Sequence, residues 1–314
     1  MILTVTPNIA LDRTYVVPHV EVGAVHKVSS VFAQTGGKGV NVSRVLTCLG
    51  SETFATGLVG AAGLDDATRD LAAGGIGCEL FGVADSPRQT VTVTAQDGTT
   101  TAFDEPGPTV TATEWVQFVE HISDLLGRAN LVVVSGSLPP GAPEAALREL
   151  VEAAHEHDVP MILDARGRHL HAALGGRPLV VKLNRSELSE TVGRSCDSDD
   201  EVIRGAQELR EMGARTVIVT LGPDGAIGLE GDDVWRVTQP AQSGNPIGAG
   251  DAFSAGFAGM LADSQPFATA LREGAAAAIA SLRAATAGYV ELSDLRSANS
   301  LIETQLIRKV PARS

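Results

Sequence analysis

Residues 245–257 read NPIGAGDAFSAGF, so three small residues, Gly248, Ala249 and Gly250, precede the carboxylate of Asp251 at the start of an apolar helical run. Small side chains let backbone N–H groups approach an anion, and a helix N-terminus adds roughly half a positive charge at the same place. Asp251 is then either a helix cap or a group that handles a proton beside that anion. A second turn of this kind, TGGKGVN at 35–41, contributes Gly36, Gly37 and the cation of Lys38. Either turn alone reads as a tight connection. Two of them, with a carboxylate at one, point to phosphoryl transfer. The P-loop pattern GxxxxGK[ST] does not occur, and TPNIALD after the first strand has no glycine for a dinucleotide fingerprint.

The elements that must position these residues follow from the hydrophobic pattern. Short apolar runs (ILTVT, FATGLVG, LVVVSG, PMILDA, LVVKLN, ARTVIVTLG) alternate with helix-period segments such as EAALRELVEAAHEH. Continuously apolar strands separated by helices predict a mostly parallel sheet covered on both faces, with ligands beyond its carboxyl ends. Residues 12–33 and 88–104 break the rhythm by alternating polar and apolar residues, with a turn at Asp97-Gly98. They predict antiparallel strands of a small inserted sheet, which would cover a site or pair with a second copy through Val16, Val91 and Val93. The chain is expected to form one domain over 1–314, with a frayed tail from 303.

Composition narrows the partners. The 314 residues carry 38 Asp and Glu against 24 Lys and Arg, a formal charge of −14, which disfavours nucleic acid and anionic membranes. Three scattered cysteines give no disulfide framework and no zinc spacing, and His155, His157, His169 and His171 lie in polar stretches with no metal pattern. The start MILTVTPNIALD has no signal-peptide character, and no long uncharged apolar run occurs, so a cytoplasmic location is expected.

The ordered motifs TPNIALD (6–12), GGKGVNVSRVL (36–46), EPGP (105–108), SGSLPPG (135–141), KLNRSEL (182–188), TLGPDGA (220–226) and GAGDAFSAGF (248–257) resemble the PfkB, or ribokinase-like, carbohydrate kinases over essentially the whole chain. Among these, the resemblance is to the 1-phosphofructokinase and tagatose-6-phosphate kinase branch. It implies an α/β ribokinase-like fold: a mostly parallel central sheet flanked by helices, with the small inserted sheet as a lid. It also implies an ATP-dependent kinase with Mg²⁺, acting on a sugar phosphate; the homodimer through the lid is expected from the exposed two-sided sheet itself.

Roles carry over from the resemblance residue by residue. Asp251 would take the proton of the attacking hydroxyl, with Gly248, Ala249 and Gly250 as the anion hole. Asp12 would hold sugar hydroxyls, with Gly36, Gly37, Lys38 and Asn41 lining the same pocket. Arg88 would grip the phosphate already on the substrate, with Ser137 and Lys27 as further phosphate ligands. Lys182, Asn184, Thr220, Gly222 and Gly225 would serve ATP, and Asn184 and Glu187 would hold Mg²⁺ through water. Read without the resemblance, Arg88 is a solvated strand residue and NRSEL is a helix cap with an acid at its third position. A helix N-terminus should also lower the pKa of Asp251 and make it a weaker base.

The run NPIG departs from the NTVG form common among fructose-1-phosphate kinases, which bears on the position of the substrate phosphate. Fructose 1-phosphate leads, with fructose 6-phosphate and tagatose 6-phosphate as alternatives. An unphosphorylated-sugar kinase would leave Lys38 and Arg88 without an anion. A catalytically silent sugar-phosphate sensor would have no need of Asp251, Glu187 and the glycines together.

Overall fold

The computed structural model describes residues 1–310. The chain opens with β1 (Ile2–Thr6), β2 (Ala10–Val17), β3 (Ser30–Gly36), α1 (Lys38–Cys48), β4 (Thr53–Gly60) and α2 (Leu64–Ala73). Next come β5 (Gly77–Cys78), β6 (Phe81–Val83), β7 (Arg88–Ala95), β8 (Thr100–Asp104), α3 (Ala112–Leu126), β9 (Leu131–Ser135) and α4 (Ala146–Glu156). The middle holds β10 (Met161–Asp164), α5 (Gly167–Leu174), β11 (Val180–Asn184), α6 (Arg185–Val192), α7 (Asp199–Glu211) and β12 (Thr216–Thr220). The chain continues through β13 (Ala226–Glu230), β14 (Asp233–Thr238), α8 (Ala249–Ala262), α9 (Phe267–Ser281), α10 (Leu292–Asn299) and β15 (Glu303–Lys309).

The large sheet runs β15-β14-β13-β12-β11-β10-β9-β1-β4-β5, with β6 also on β4. From β12 to β5 all pairs are parallel; β12 to β15 pair antiparallel. Successive residues of a strand face opposite sides, and both sides are covered. Leu3, Val132, Val134, Leu163, Val181 and Val217 pack into one core with helices α3 to α7. Ile2, Leu131, Val133, Ile162, Val180 and Ile218 pack into the other with α1, α8, α9 and α10. This burial on both faces is why the strands read as unbroken apolar runs.

The small sheet is ordered β3-β2-β7-β8. The outer pairs are antiparallel, as the alternation predicts, but the central pair β2 and β7 runs parallel. A seventy-residue crossover, residues 18–87, makes that direction accessible, and alternation alone cannot distinguish the two. Residues 18–29, inside the 12–33 segment expected to contribute strands, form a loop between β2 and β3. The expected fraying from 303 does not occur over Glu303–Lys309: that stretch is the edge strand β15, anchored by Arg308 to Asp200 and by Lys309 to Asp233. The rest of the expected tail, 311–314, lies outside the described residues. No helix among the described residues is long and apolar enough to cross a membrane.

Candidate active site

A cavity of about 580 Å³ opens where the carboxyl ends of the parallel strands meet the small sheet. Asp251 lies at the third residue of α8, and the helix is capped by Gly248 with no side-chain cap bond, so the carboxylate is free of capping. Gly248 has φ +83, and an added Cβ would sit 2.6 Å from Ala287 Cβ, so this turn requires glycine. Ile247 N donates to Asn245 Oδ1, and Ala249 N donates to Pro246 O, which fix the turn. The expected anion hole therefore loses the Ala249 N–H. The N–H groups of Gly250 and Asp251, in the first turn, have no intrahelical acceptor.

Asp251 is buried, and Asn41 Nδ2 from α1 donates to its Oδ2 at 2.8 Å. Burial raises its pKa from the ordinary carboxylate range to about 6, against the opposing pull of Lys38, Asn41 and Lys182. The expectation of a lowered pKa and a weaker base is overturned, because loss of hydration outweighs the pull of Lys38, Asn41 and Lys182.

Beside it lies an ion cluster that spacing in the sequence does not reveal. Asp164, at the carboxyl end of β10, pairs with Lys182 Nζ at 2.7 Å and with Lys38 Nζ at 3.4 Å. Lys38 also reaches Glu187 Oε1 at 3.7 Å. Burial works to raise the pKa of Asp164, but the two ammonium groups hold it below the ordinary value. Asp164 in turn leads the effects that raise the pKa of Lys38. Asp164 is absent from the sequence-derived candidates; its signal was an acid ending the apolar strand MILD.

At the small sheet, Asp12 accepts a hydrogen bond from Thr90 Oγ1, and burial raises its pKa. Its carboxylate lies against Gly36: an added Cβ there would fall 1.8 Å from Asp12 Oδ2. Arg88 Nε donates to Glu105 O at 2.7 Å, while Nη1 lies 3.5 Å from Ser137 Oγ and from Asn8 O. Asp12, Gly37, Lys38, Asn41, Arg88 and Ser137 line the cavity together with Asp251. Lys27 is exposed on the 18–29 loop and does not line it.

Lys182, Asn184, Glu187, Thr220 and Gly222 line the same cavity at its other end. There it meets an apolar pocket of about 260 Å³ that includes Thr220, Gly222, Gly225, Phe253 and Ile279. Asn184 and Glu187 form a complete capping box on α6: Asn184 N donates to Glu187 Oε2, and Glu187 N to Asn184 Oδ1. Glu187 Oε1 remains toward Lys38. No group of three His, Cys, Asp or Glu among the described residues could cage a metal. A single carboxylate oxygen on the wall of the cavity fits Mg²⁺, which keeps most of its waters and takes further oxygens from nucleotide phosphates.

Residues 7–292 match the model of the pfkB family carbohydrate kinases. Among solved structures, the chain superposes on a Thermotoga maritima protein described as a possible 1-phosphofructokinase, with TM-score 0.89 and 27% identity over 98% of this chain and 99% of that one. It superposes on Escherichia coli phosphofructokinase-2 in complex with fructose-6-phosphate with TM-score 0.86 and 30% identity over 95% and 98% of the two chains. Ribokinase from Arabidopsis thaliana, 18% identical over 95% and 98%, shares the fold at TM-score 0.76.

Proposed function

Because the chain belongs to the pfkB family of carbohydrate kinases, we propose that it transfers the γ-phosphoryl group of ATP to a hydroxyl of a ketohexose monophosphate, giving a bisphosphate. Fructose 1-phosphate, converted to fructose 1,6-bisphosphate, is the leading substrate. The observation that carries a phosphorylated substrate is Arg88: its guanidinium lies at the sugar end of the cavity, beside Ser137, and its hydrogen bonds among the described residues go to backbone and hydroxyl oxygens. A phosphate dianion matches that planar fork and a neutral sugar does not.

The residues divide the work along the cavity. Asp12, with Thr90 behind it, orients the sugar hydroxyls, and Arg88 and Ser137 anchor the existing phosphate. Asp251 takes the proton of the attacking hydroxyl as the new O–P bond forms and the bond to the β-phosphate oxygen breaks. Asn41 holds Asp251 Oδ2, leaving Oδ1 for that hydroxyl. The N–H groups of Gly250 and Asp251, with Lys38 and Lys182, face the charge on the transferring group. Asp164 keeps both ammonium groups in place. Glu187 and Asn184 would hold Mg²⁺ through water, and the ion neutralises ATP phosphates when bound. The apolar pocket at Phe253 and Ile279 suits an adenine ring.

Fructose 6-phosphate is the second reading, supported by the ligand of the phosphofructokinase-2 complex and by the departure of the NPIG turn from the form common among fructose-1-phosphate kinases. Incubation with ATP, Mg²⁺ and a panel of sugar monophosphates and free sugars, following ADP release, tests both. Turnover of free sugars alone contradicts the proposal.

The domain reading is likewise a proposal: one unit, in which the small sheet covers the sugar end and its outer face meets a second copy. In-register pairing puts Tyr15, Val31, Val91, Val93 and Phe103 on that outer face, while Val16 shares the inner face with Asp12 and Thr90. Val31 and Phe103 are exposed there.

A further inference from the structure

The end of the sheet opposite the active site carries a second concentration of positive charge. Strands β10, β11 and β12 begin there, and helices α4, α5 and α7 end there. Between them lies a hollow of about 920 Å³ lined by His155, Arg177, Arg210, Glu211 and Arg215. A smaller one of about 290 Å³ shares His155, Arg177 and Arg215 and adds Asp158. The length of β12, four steps of about 3.3 Å, separates this surface from Thr220 at the active site by roughly 13 Å. A molecule bound there takes no part in the transfer.

In a chain of net charge −14, guanidinium groups find carboxylates easily: Arg44, Arg194 and Arg236 each hold one. Arg177, Arg210 and Arg215 do not. Among the described residues, no salt bridge within 4.0 Å uses their guanidinium groups, Glu211 has a partner of its own, and Arg210 Nε is closed off from solvent without an acceptor. Helix C-termini attract cations, which accounts for basic residues at this end. It does not account for three guanidinium groups around one hollow. Glu211 and Asp158 on the same surface reduce the three charges without cancelling them.

The backbone that carries these arginines is held before any ligand arrives. Arg215 N donates to Pro178 O, Arg177 N donates to Leu174 O, and the His155 ring lies 3.2 Å from Arg177 O. Such preorganisation lowers the ordering cost of binding. We propose that this hollow is a second anion-binding site, which takes a small phosphorylated molecule on Arg177, Arg210 and Arg215. The planar fork of arginine matches phosphate oxygens. The concavity and the strongly negative net charge select a small ligand over a polynucleotide.

The test titrates inorganic pyrophosphate into the parent protein, Arg88→Ala, Arg177→Ala/Arg215→Ala and the single exposed substitution Arg215→Gln, by calorimetry without ATP or sugar. Pyrophosphate binding that survives in Arg88→Ala and weakens about tenfold or more in the double variant is expected. Arg215→Gln should weaken it several-fold, and this holds even where the double variant does not fold. Unchanged affinity in Arg215→Gln overturns the proposal. So does binding that disappears in Arg88→Ala, which assigns all pyrophosphate to the active site. Arginine-dependent capture of a polynucleotide or acidic peptide, with no pyrophosphate bound, overturns it as well.

Discussion

Asn41 Nδ2 donates to Asp251 Oδ2 at 2.8 Å, joining the first turns of two helices whose sequences lie 210 residues apart. The bond holds a buried carboxylate in one orientation beside the glycine turn. Asp251→Asn should lower kcat by about 10² to 10⁴ and leave ATP affinity near the parent value, since the group acts on a proton in the transition state. Steady-state kinetics with separately measured nucleotide binding checks this. Retention of most of the parent kcat contradicts the assignment.

The raised pKa of Asp251, about 6, places an acid limb near that pH in kcat/KM. The same shift acts on stability. The folded state holds this proton more tightly than the unfolded chain, whose carboxylate titrates near 3.9. The resulting stabilisation is complete below that value and is lost as pH rises through about 6, a change of roughly 3 kcal/mol. Asp164, with its lowered pKa, acts in the opposite direction at more acid pH. Comparing thermal unfolding of the parent and Asp251→Asn between pH 4 and 8 isolates the effect: the variant should gain relative stability as pH rises. A difference that stays flat with pH refutes it.

Arg88→Ala should cost about ten- to a hundred-fold in kcat/KM for the sugar phosphate, the loss of charge-assisted hydrogen bonds of about 1.5 to 3 kcal/mol. The free sugar and ATP should be spared. Arg88→Lys should recover only part of the loss, because an ammonium lacks the planar fork. Equal losses for both sugars would make Arg88 a residue that merely holds Glu105 O and the small sheet.

Glu187→Gln keeps the capping box, which accepts Gln at the same position, so the fold should survive. The Mg²⁺ concentration needed for half-maximal rate should rise, because the variant removes the carboxylate charge proposed to hold the ion. Superimposable Mg²⁺ titrations of variant and parent contradict the assignment.

Phe103→Asp tests the outer face of the small sheet. A charge among Val31, Val91 and Val93 should convert a dimer into a monomer at micromolar concentration. Light scattering reads the mass directly. A monomeric parent removes the basis for the interface.

The sequence alone determined the parallel sheet, because strands buried on both faces read as unbroken apolar runs such as LVVVS and TVIVT. It also determined both glycine turns and the acid behind one of them, since such local requirements of backbone and helix terminus are written in adjacent residues. The resemblance supplied Asp12 and Arg88, which the structure brings to the same cavity. Tertiary structure alone decided what depends on residues far apart in the chain. The parallel direction of β2 against β7, the edge strand at Glu303–Lys309 and the position of Lys27 outside the cavity are of this kind. So are the Lys38, Asp164 and Lys182 cluster and the raised pKa of Asp251. The helix N-terminus visible in the sequence argues for a weak base, but desolvation depends on everything packed around a carboxylate, and here burial outweighs the pull of Lys38, Asn41 and Lys182.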